Sequence, residues 1–240
     1  MASLTCRVES EVLEVATTFS MIVPQDVADP PVLYLLHGLT DDHTAWSRYT
    51  SIERYADEAG LAVVMPSAHH SFYTDEVHGH RYWTFLSEEL PRLVHSLFRV
   101  SARPEDTFAA GLSMGGYGAV KLALTHPDRY AAAASLSGTL DVTYMATRED
   151  RAAIWHRAFD GSIRDSNDLF ALLAAASSVP PLYVGCGTSD PLLDANERFI
   201  TAASGAGVAV TTDLRAGDHE WGVWDPMIAD VIAWLPLPRR

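Results

Sequence analysis

The chain has 240 residues and a mass of 26.2 kDa, enough for one core to bury roughly 70–75% of the surface its unfolded form exposes. Its 48% apolar and 20% charged residues exclude an intrinsically disordered chain, and 17 basic against 31 acidic residues give a net charge of −14. With Lys121 as the single lysine and no basic cluster, a nucleic-acid partner is excluded and an anionic membrane surface is disfavoured.

Residues 4–23 alternate as two antiparallel strands would, around Cys6–Glu9 and Thr18–Met21. Apolar runs follow at Val32–Leu36, Ala62–Met65, Phe108–Ala110, Ala131–Leu136 and Leu182–Val184, with a last strand candidate at Val208–Leu214. Runs apolar on both faces are what buried parallel strands require. Helical stretches at 52–59, 83–98, 116–124, 193–203 and 224–235 alternate with them, which predicts one α/β domain over residues 1–240. It holds a mostly parallel sheet of about eight strands with helices on both faces. Residues 140–178 break the rhythm and read as a small insertion over the strand tips.

No stretch reaches the roughly 18 apolar residues of a membrane span, and the N-terminus lacks a basic region followed by an apolar one. Cys6 and Cys186 are too few for a disulfide framework, and Cys186 reads as a buried thiol. A cytoplasmic location is expected. A homo-oligomer is expected on general frequency alone.

The most informative segment is Gly111-Leu112-Ser113-Met114-Gly115, a G-x-S-x-G pattern between a buried strand and a helix. A sharp strand-to-helix turn would hold Ser113 in a strained conformation, and side chains two residues either side would collide. The helix N-terminus would offer N–H groups to a developing oxyanion. A serine nucleophile needs a base and an orienting acid, ordered serine, acid, histidine in such a fold. Of the three histidines after Ser113, His126 caps a helix and His156 lies in the insertion. His219 follows the last strand and is the expected base. Asp190, after the Leu182 strand, is the expected acid, with Asp194 and Asp218 as alternatives. Gly38 or Leu39 with Met114 would supply the oxyanion N–H groups, and His37 would brace that loop.

These residues resemble the esterase D / putative esterase family. The resemblance rests on HGLTDDHTAW (37–46), FYTD (72–75), FLSEELP (85–91), GLSMGGYGAVKLAL (111–124), SLSGTLD (135–141), CGTSD (186–190) and DHEW (218–221). It spans roughly residues 5–235 and is nearest the short bacterial tributyrin-esterase and acetyl-esterase branch, related to S-formylglutathione hydrolases and feruloyl esterases. It implies an α/β-hydrolase fold, no cofactor, and serine-dependent hydrolysis of small short-acyl esters through an acyl-enzyme. It carries Ser113, Asp190 and His219 over as the triad and makes residues 140–178 a cap. Thioester hydrolysis of the S-formylglutathione type, or acyl transfer, are the alternatives on the same triad. A catalytically silent binding protein has no use for it.

Trp46, Tyr73 and Trp221 are expected to wall the pocket, whereas Trp83 and Trp224 read as core. His69, His70, His78 and His80 fall within twelve positions but lack a cysteine or H-E-x-x-H partner, so they read as a polar loop without a metal. Asp41 and Asp42 near the mouth would disfavour anionic esters.

Overall fold

The computed structural model describes residues 1–237. A hairpin opens the chain, β1 (Ala2–Ser10) against β2 (Val15–Val23), in register from Ala2 opposite Val23 to Ser10 opposite Val15. Then come β3 (Val32–Leu36), β4 (Ala62–Pro66), β5 (Thr107–Leu112), β6 (Ala132–Leu136), β7 (Leu182–Gly187) and β8 (Val210–Arg215). They form one eight-stranded sheet of order β1-β2-β4-β3-β5-β6-β7-β8. The β1–β2 and β2–β4 pairs are antiparallel, and every pairing from β4 to β8 is parallel.

The continuous apolar runs resolve into two interleaved patterns. In β3, Val32, Tyr34 and Leu36 enter one core while Leu33 and Leu35 enter the other. Successive side chains of a strand point to opposite faces, so a sheet covered twice needs apolar residues at every position. The helices are α1 (Ala45–Tyr49), α2 (Ile52–Ala59), α3 (Tyr82–Thr84), α4 (Leu90–Leu97), α5 (Met114–Thr125), α6 (Ala152–Phe159), α7 (Leu169–Ala175), α8 (Leu193–Gly205) and α9 (Trp221–Trp234). Residues of α2 and α9 fill the core on one face, and residues of α4, α5 and α8 the core on the other. This is the expected α/β-hydrolase arrangement.

The helix expected over 83–98 forms as one continuous run of α3, a π-turn at Phe85–Glu89 and α4, with Thr84, Phe85, Glu89 and Leu90 all right-handed helical. Pro91 explains the π-turn, because it has no N–H to give the Ser87 carbonyl. That carbonyl accepts from the Arg129 guanidinium, and Leu90 N–H bonds back five residues to the Phe85 carbonyl. The last helix starts at Trp221, three residues earlier than its periodicity suggested.

Between β6 and β7, residues 140–178 form short 3₁₀ turns, α6 and α7. This segment is fastened to α5 from below. Tyr117 Oη donates to the Asn167 carbonyl at 2.8 Å, and Lys121 Nζ donates to Asn167 Oδ1 at 2.7 Å. The buried ammonium also sits 4.2 Å from the Trp83 ring centre, a desolvated cation–π contact. Among the described residues, no helix is long and apolar enough to cross a membrane.

Candidate active site

Ser113 stands between β5 and α5 with φ 53° and ψ −117°, a conformation that a non-glycine residue holds at a cost of about 1–3 kcal/mol. The end of β6 and the loop after it hold it there. Its N–H donates to the Leu136 carbonyl at 2.9 Å, and its carbonyl accepts from Thr139 N at 3.0 Å. The turn is too tight for side chains at its ends, since a Cβ on Gly111 would lie 2.4 Å from the Gly115 carbonyl carbon.

The loop after β8 brings His219 over this serine, with Nε2 3.1 Å from Ser113 Oγ. Its Nδ1 lies 2.8 Å from Asp190 Oδ2, on the loop after β7. Donation of Nδ1–H to the carboxylate leaves the Nε2 lone pair facing the serine hydroxyl, the tautomer a general base requires. Asp190 is buried, and its other oxygen accepts from Leu192 N at 2.8 Å. Burial is the largest single influence on this carboxyl and raises its pKa. Hydrogen bonds from His219, Leu192 N and Ser137, with the imidazole's charge, together outweigh it and hold the pKa below the ordinary carboxylate value. The two alternative acids stand elsewhere: exposed Asp218 accepts from the backbone N–H of His219, and Asp194 lines a separate depression on α8.

A cavity of about 460 Å³ opens beside Ser113 and His219. Gly38, Leu39 and Met114 line it. The Met114 N–H belongs to the first turn of α5, where no intrahelical acceptor exists. Gly38 permits the close approach, because a Cβ there would fall 2.6 Å from Leu112 Cδ1 and 3.7 Å from Ser113 Cβ. His37 is buried beneath the loop: its Nε2 accepts from Ala68 N at 2.9 Å, so Nδ1 carries the proton and donates to the Gly38 carbonyl at 2.6 Å. Burial pushes its pKa down to about 4, which keeps the ring neutral.

Trp221 lines the cavity, but Trp46 and Tyr73 do not. Trp46 is fully buried behind the wall, donating from Nε1 to the Leu36 carbonyl and meeting Trp221 edge-on at 5.2 Å. Tyr73 is buried with its hydroxyl donating to the His37 carbonyl at 3.1 Å, so it supports the loop from below. Its neighbour Phe72 reaches the cavity instead. Trp224 lines the cavity too and meets His219 edge-on at 4.8 Å, while its Nε1 donates to Ser137 Oγ.

The acidic pair divides. Asp41 lines the cavity and is half-buried, with a pKa raised chiefly by burial. Asp42 turns away, accepting from Thr44 N at 2.8 Å in the turn that leads into α1. Residues 140–178 supply Tyr144, Met145, Arg148 and Arg151 to the cavity wall. Nothing in their spacing announces this; their one visible signal is that arginines and apolar residues mix where a strand has just ended. Arg148 and Arg151, both paired with Asp150, share the lining with Asp41 and Glu220, so the mouth is of mixed sign.

The model of the family described as "Putative esterase" matches residues 10–235. An acetyl esterase of Caldicellulosiruptor saccharolyticus is 29% identical, with 98% of each chain covered. Two solved structures from Staphylococcus aureus are each 34% identical and cover 98% of both chains. One is the substrate-bound fluorophosphonate-binding serine hydrolase F, with a TM-score of 0.92. The other is an S-formylglutathione hydrolase apoenzyme, with a TM-score of 0.89.

Proposed function

From the premise that the chain belongs to the putative esterase family and is a serine-type carboxylic ester hydrolase, we propose that Ser113, His219 and Asp190 are its triad. We infer small short-acyl esters as its substrates. One observation carries the reading: the hydrogen-bonded line from Asp190 through His219 to Ser113 ends at a cavity of about 460 Å³.

Ser113 Oγ attacks the ester carbonyl as His219 Nε2 takes its proton, and buried Asp190 stabilises the imidazolium that results. The N–H groups of Leu39 (or Gly38) and Met114 hold the oxyanion. His219 then protonates the departing alcohol, water repeats the attack on the acyl-enzyme, and the acid leaves. Residues 140–178 act as a cap that walls the acyl or alcohol side of this single domain. The acetyl esterase relative supports a short acyl group, and the S-formylglutathione hydrolase neighbour supports the thioester alternative. Two free thiols, Cys6 and Cys186, support a cytoplasmic location.

Ser113→Ala should lower kcat on p-nitrophenyl acetate by about 10⁴–10⁶-fold and abolish fluorophosphonate labelling while leaving the unfolding midpoint near that of the parent. A variant that keeps a tenth of the activity rejects the assignment. A panel of p-nitrophenyl esters of rising chain length, with S-formylglutathione alongside, separates ester from thioester preference.

A further inference from the structure

Away from the cavity, a second group of reactive side chains gathers where the loop before α3 meets the C-terminal end of α6. We propose that His78, His156 and Asp160 form a binding site for one divalent first-row transition ion of the zinc type. His78 Nε2 lies 2.9 Å from Asp160 Oδ1, and His156 Nε2 lies 3.6 Å from the same oxygen. The three donor atoms all fall within 4.8 Å of one another. A tetrahedral ion with bonds of about 2.0–2.1 Å spaces its ligand atoms roughly 3.3 Å apart. Side-chain shifts of about an ångström would therefore complete the set. Two imidazoles and a carboxylate are the donors that zinc, cobalt and nickel favour, and all three residues are exposed, so water can fill the remaining positions.

The backbone holds these side chains in place without an ion. Val77 N and His78 N donate to the carbonyls of Ala158 and Arg157 at 3.3 and 3.0 Å, joining the loop to the last turn of α6. Beneath this join, buried Glu76 accepts from Arg157 Nε at 2.7 Å and from His80 N at 3.0 Å. Asp160 occupies the left-handed C-cap of α6, at φ 52° and ψ 38°, where glycine is the usual residue. The aspartate gives up backbone ease and gains a carboxylate beside His156, four residues back. The i,i+4 spacing on α6 sets His156 beside Asp160, and the His78 ring stacks on His156 with centroids 5.0 Å apart, so the three donors are already gathered. The four-histidine cluster noted in the sequence is not the site: only His78 takes part, and its partners come from the cap.

None of the three residues lines the cavity. The ion's role is structural. It cross-links α6 to the 75–81 loop and so stiffens the segment that contributes Arg148 and Arg151 to the cavity wall.

The test is isothermal titration of the untagged, chelator-treated enzyme with zinc chloride alone, in a buffer that does not bind metal. The parent should take up one ion per chain, and zinc should raise its melting temperature. Asp160→Asn and His156→Gln should each weaken binding by about tenfold or more and lose most of the thermal shift. Because Asp160 also shapes a helix end, His156→Gln serves as the variant that leaves the backbone untouched. His95→Gln, at an exposed histidine on α4, should bind as the parent does. A parent that takes up no zinc at millimolar concentration, or variants that bind it as tightly as the parent, would overturn the proposal.

Discussion

Gly115 packs so closely under Leu36 that a Cβ on the glycine would lie 2.3 Å from the Leu36 carbonyl oxygen. The start of α5 is thereby pressed against the end of β3, one residue before the His37-Gly38 loop. The turn that holds Ser113, the proposed nucleophile, and the expected oxyanion loop are thus one packed unit. Gly115→Ala should therefore destabilise the fold by about 1–3 kcal/mol. It should also shift Ser113 relative to Leu39 and cost on the order of 10²-fold in kcat. Urea unfolding and ester hydrolysis measured on the same preparation test both halves; parental kcat would mean the two loops move independently.

Trp46 and Trp221 touch, yet their variants should behave differently. Trp221→Ala enlarges a cavity wall and should shift kcat/KM toward bulkier esters with modest loss of stability. Trp46→Ala leaves a void in the core and should cost about 3–5 kcal/mol with little change in the order of substrate preference. Unfolding midpoints and an ester panel for the two variants distinguish wall from support.

His37 gives a pH dependence of stability with a definite sign. Its folded pKa, lowered by burial to about 4, lies below the unfolded value of about 6.5. Above pH 6.5 both states are neutral and the contribution is complete. Between pH 6.5 and 4 the unfolded chain takes up a proton that the folded chain refuses, so stability falls on acidification by up to about 3 kcal/mol. His37→Gln should flatten that slope by one proton equivalent, read from unfolding free energies at several pH values.

Charge selection should reside in Asp41, which lines the cavity, and not in Asp42. Asp41→Asn removes one negative charge near the substrate and should raise kcat/KM for an anionic ester, relative to a neutral one, by about fivefold at low salt. The gain should shrink as salt is added. Asp42→Asn should leave that ratio unchanged, and equal effects of the two variants would return selection to the overall charge of the surface.

Lys121 is fully enclosed between α5, Trp83 and Asn167, where burial lowers its pKa to about 7. Lys121→Met keeps the volume but leaves Asn167 Oδ1 without its donor. The expected cost is about 1–3 kcal/mol, together with faster protease cleavage within residues 140–178. Unchanged cleavage would show that the cap is fastened elsewhere.

The sheet was legible because a strand covered on both faces is apolar almost throughout, and β3 to β7 are, Thr107 and Ser135 apart. Ser113, His219 and Asp190 could be picked out because each follows a strand whose carboxyl end points the same way. The walls of the cavity were not legible. Phe72 and Tyr73 are adjacent aromatic residues, and only the local backbone, left-handed at both, decides which one faces the cavity. Trp46 likewise stands in α1, just after the loop that borders the site, yet its indole turns inward to the Leu36 carbonyl. Arg148 and Arg151 reach the cavity through the fold of residues 140–178, whose short 3₁₀ turns carry no clear periodic signal. The π-turn at 85–89 follows from Pro91, but the Ser87 carbonyl it frees is taken by a guanidinium from residue 129, which no local window of sequence contains.

Ser113 is held by bonds to Leu136 and Thr139, residues that reach it only after β5 and β6 have paired. A chain that has lost this pairing has no force to keep the serine in its unfavourable backbone conformation. With Ser113 as the proposed nucleophile, a fluorophosphonate pulse short against refolding should label native molecules alone. In a heated or denaturant-treated sample, the labelled fraction should then report the folded population, without an optical probe.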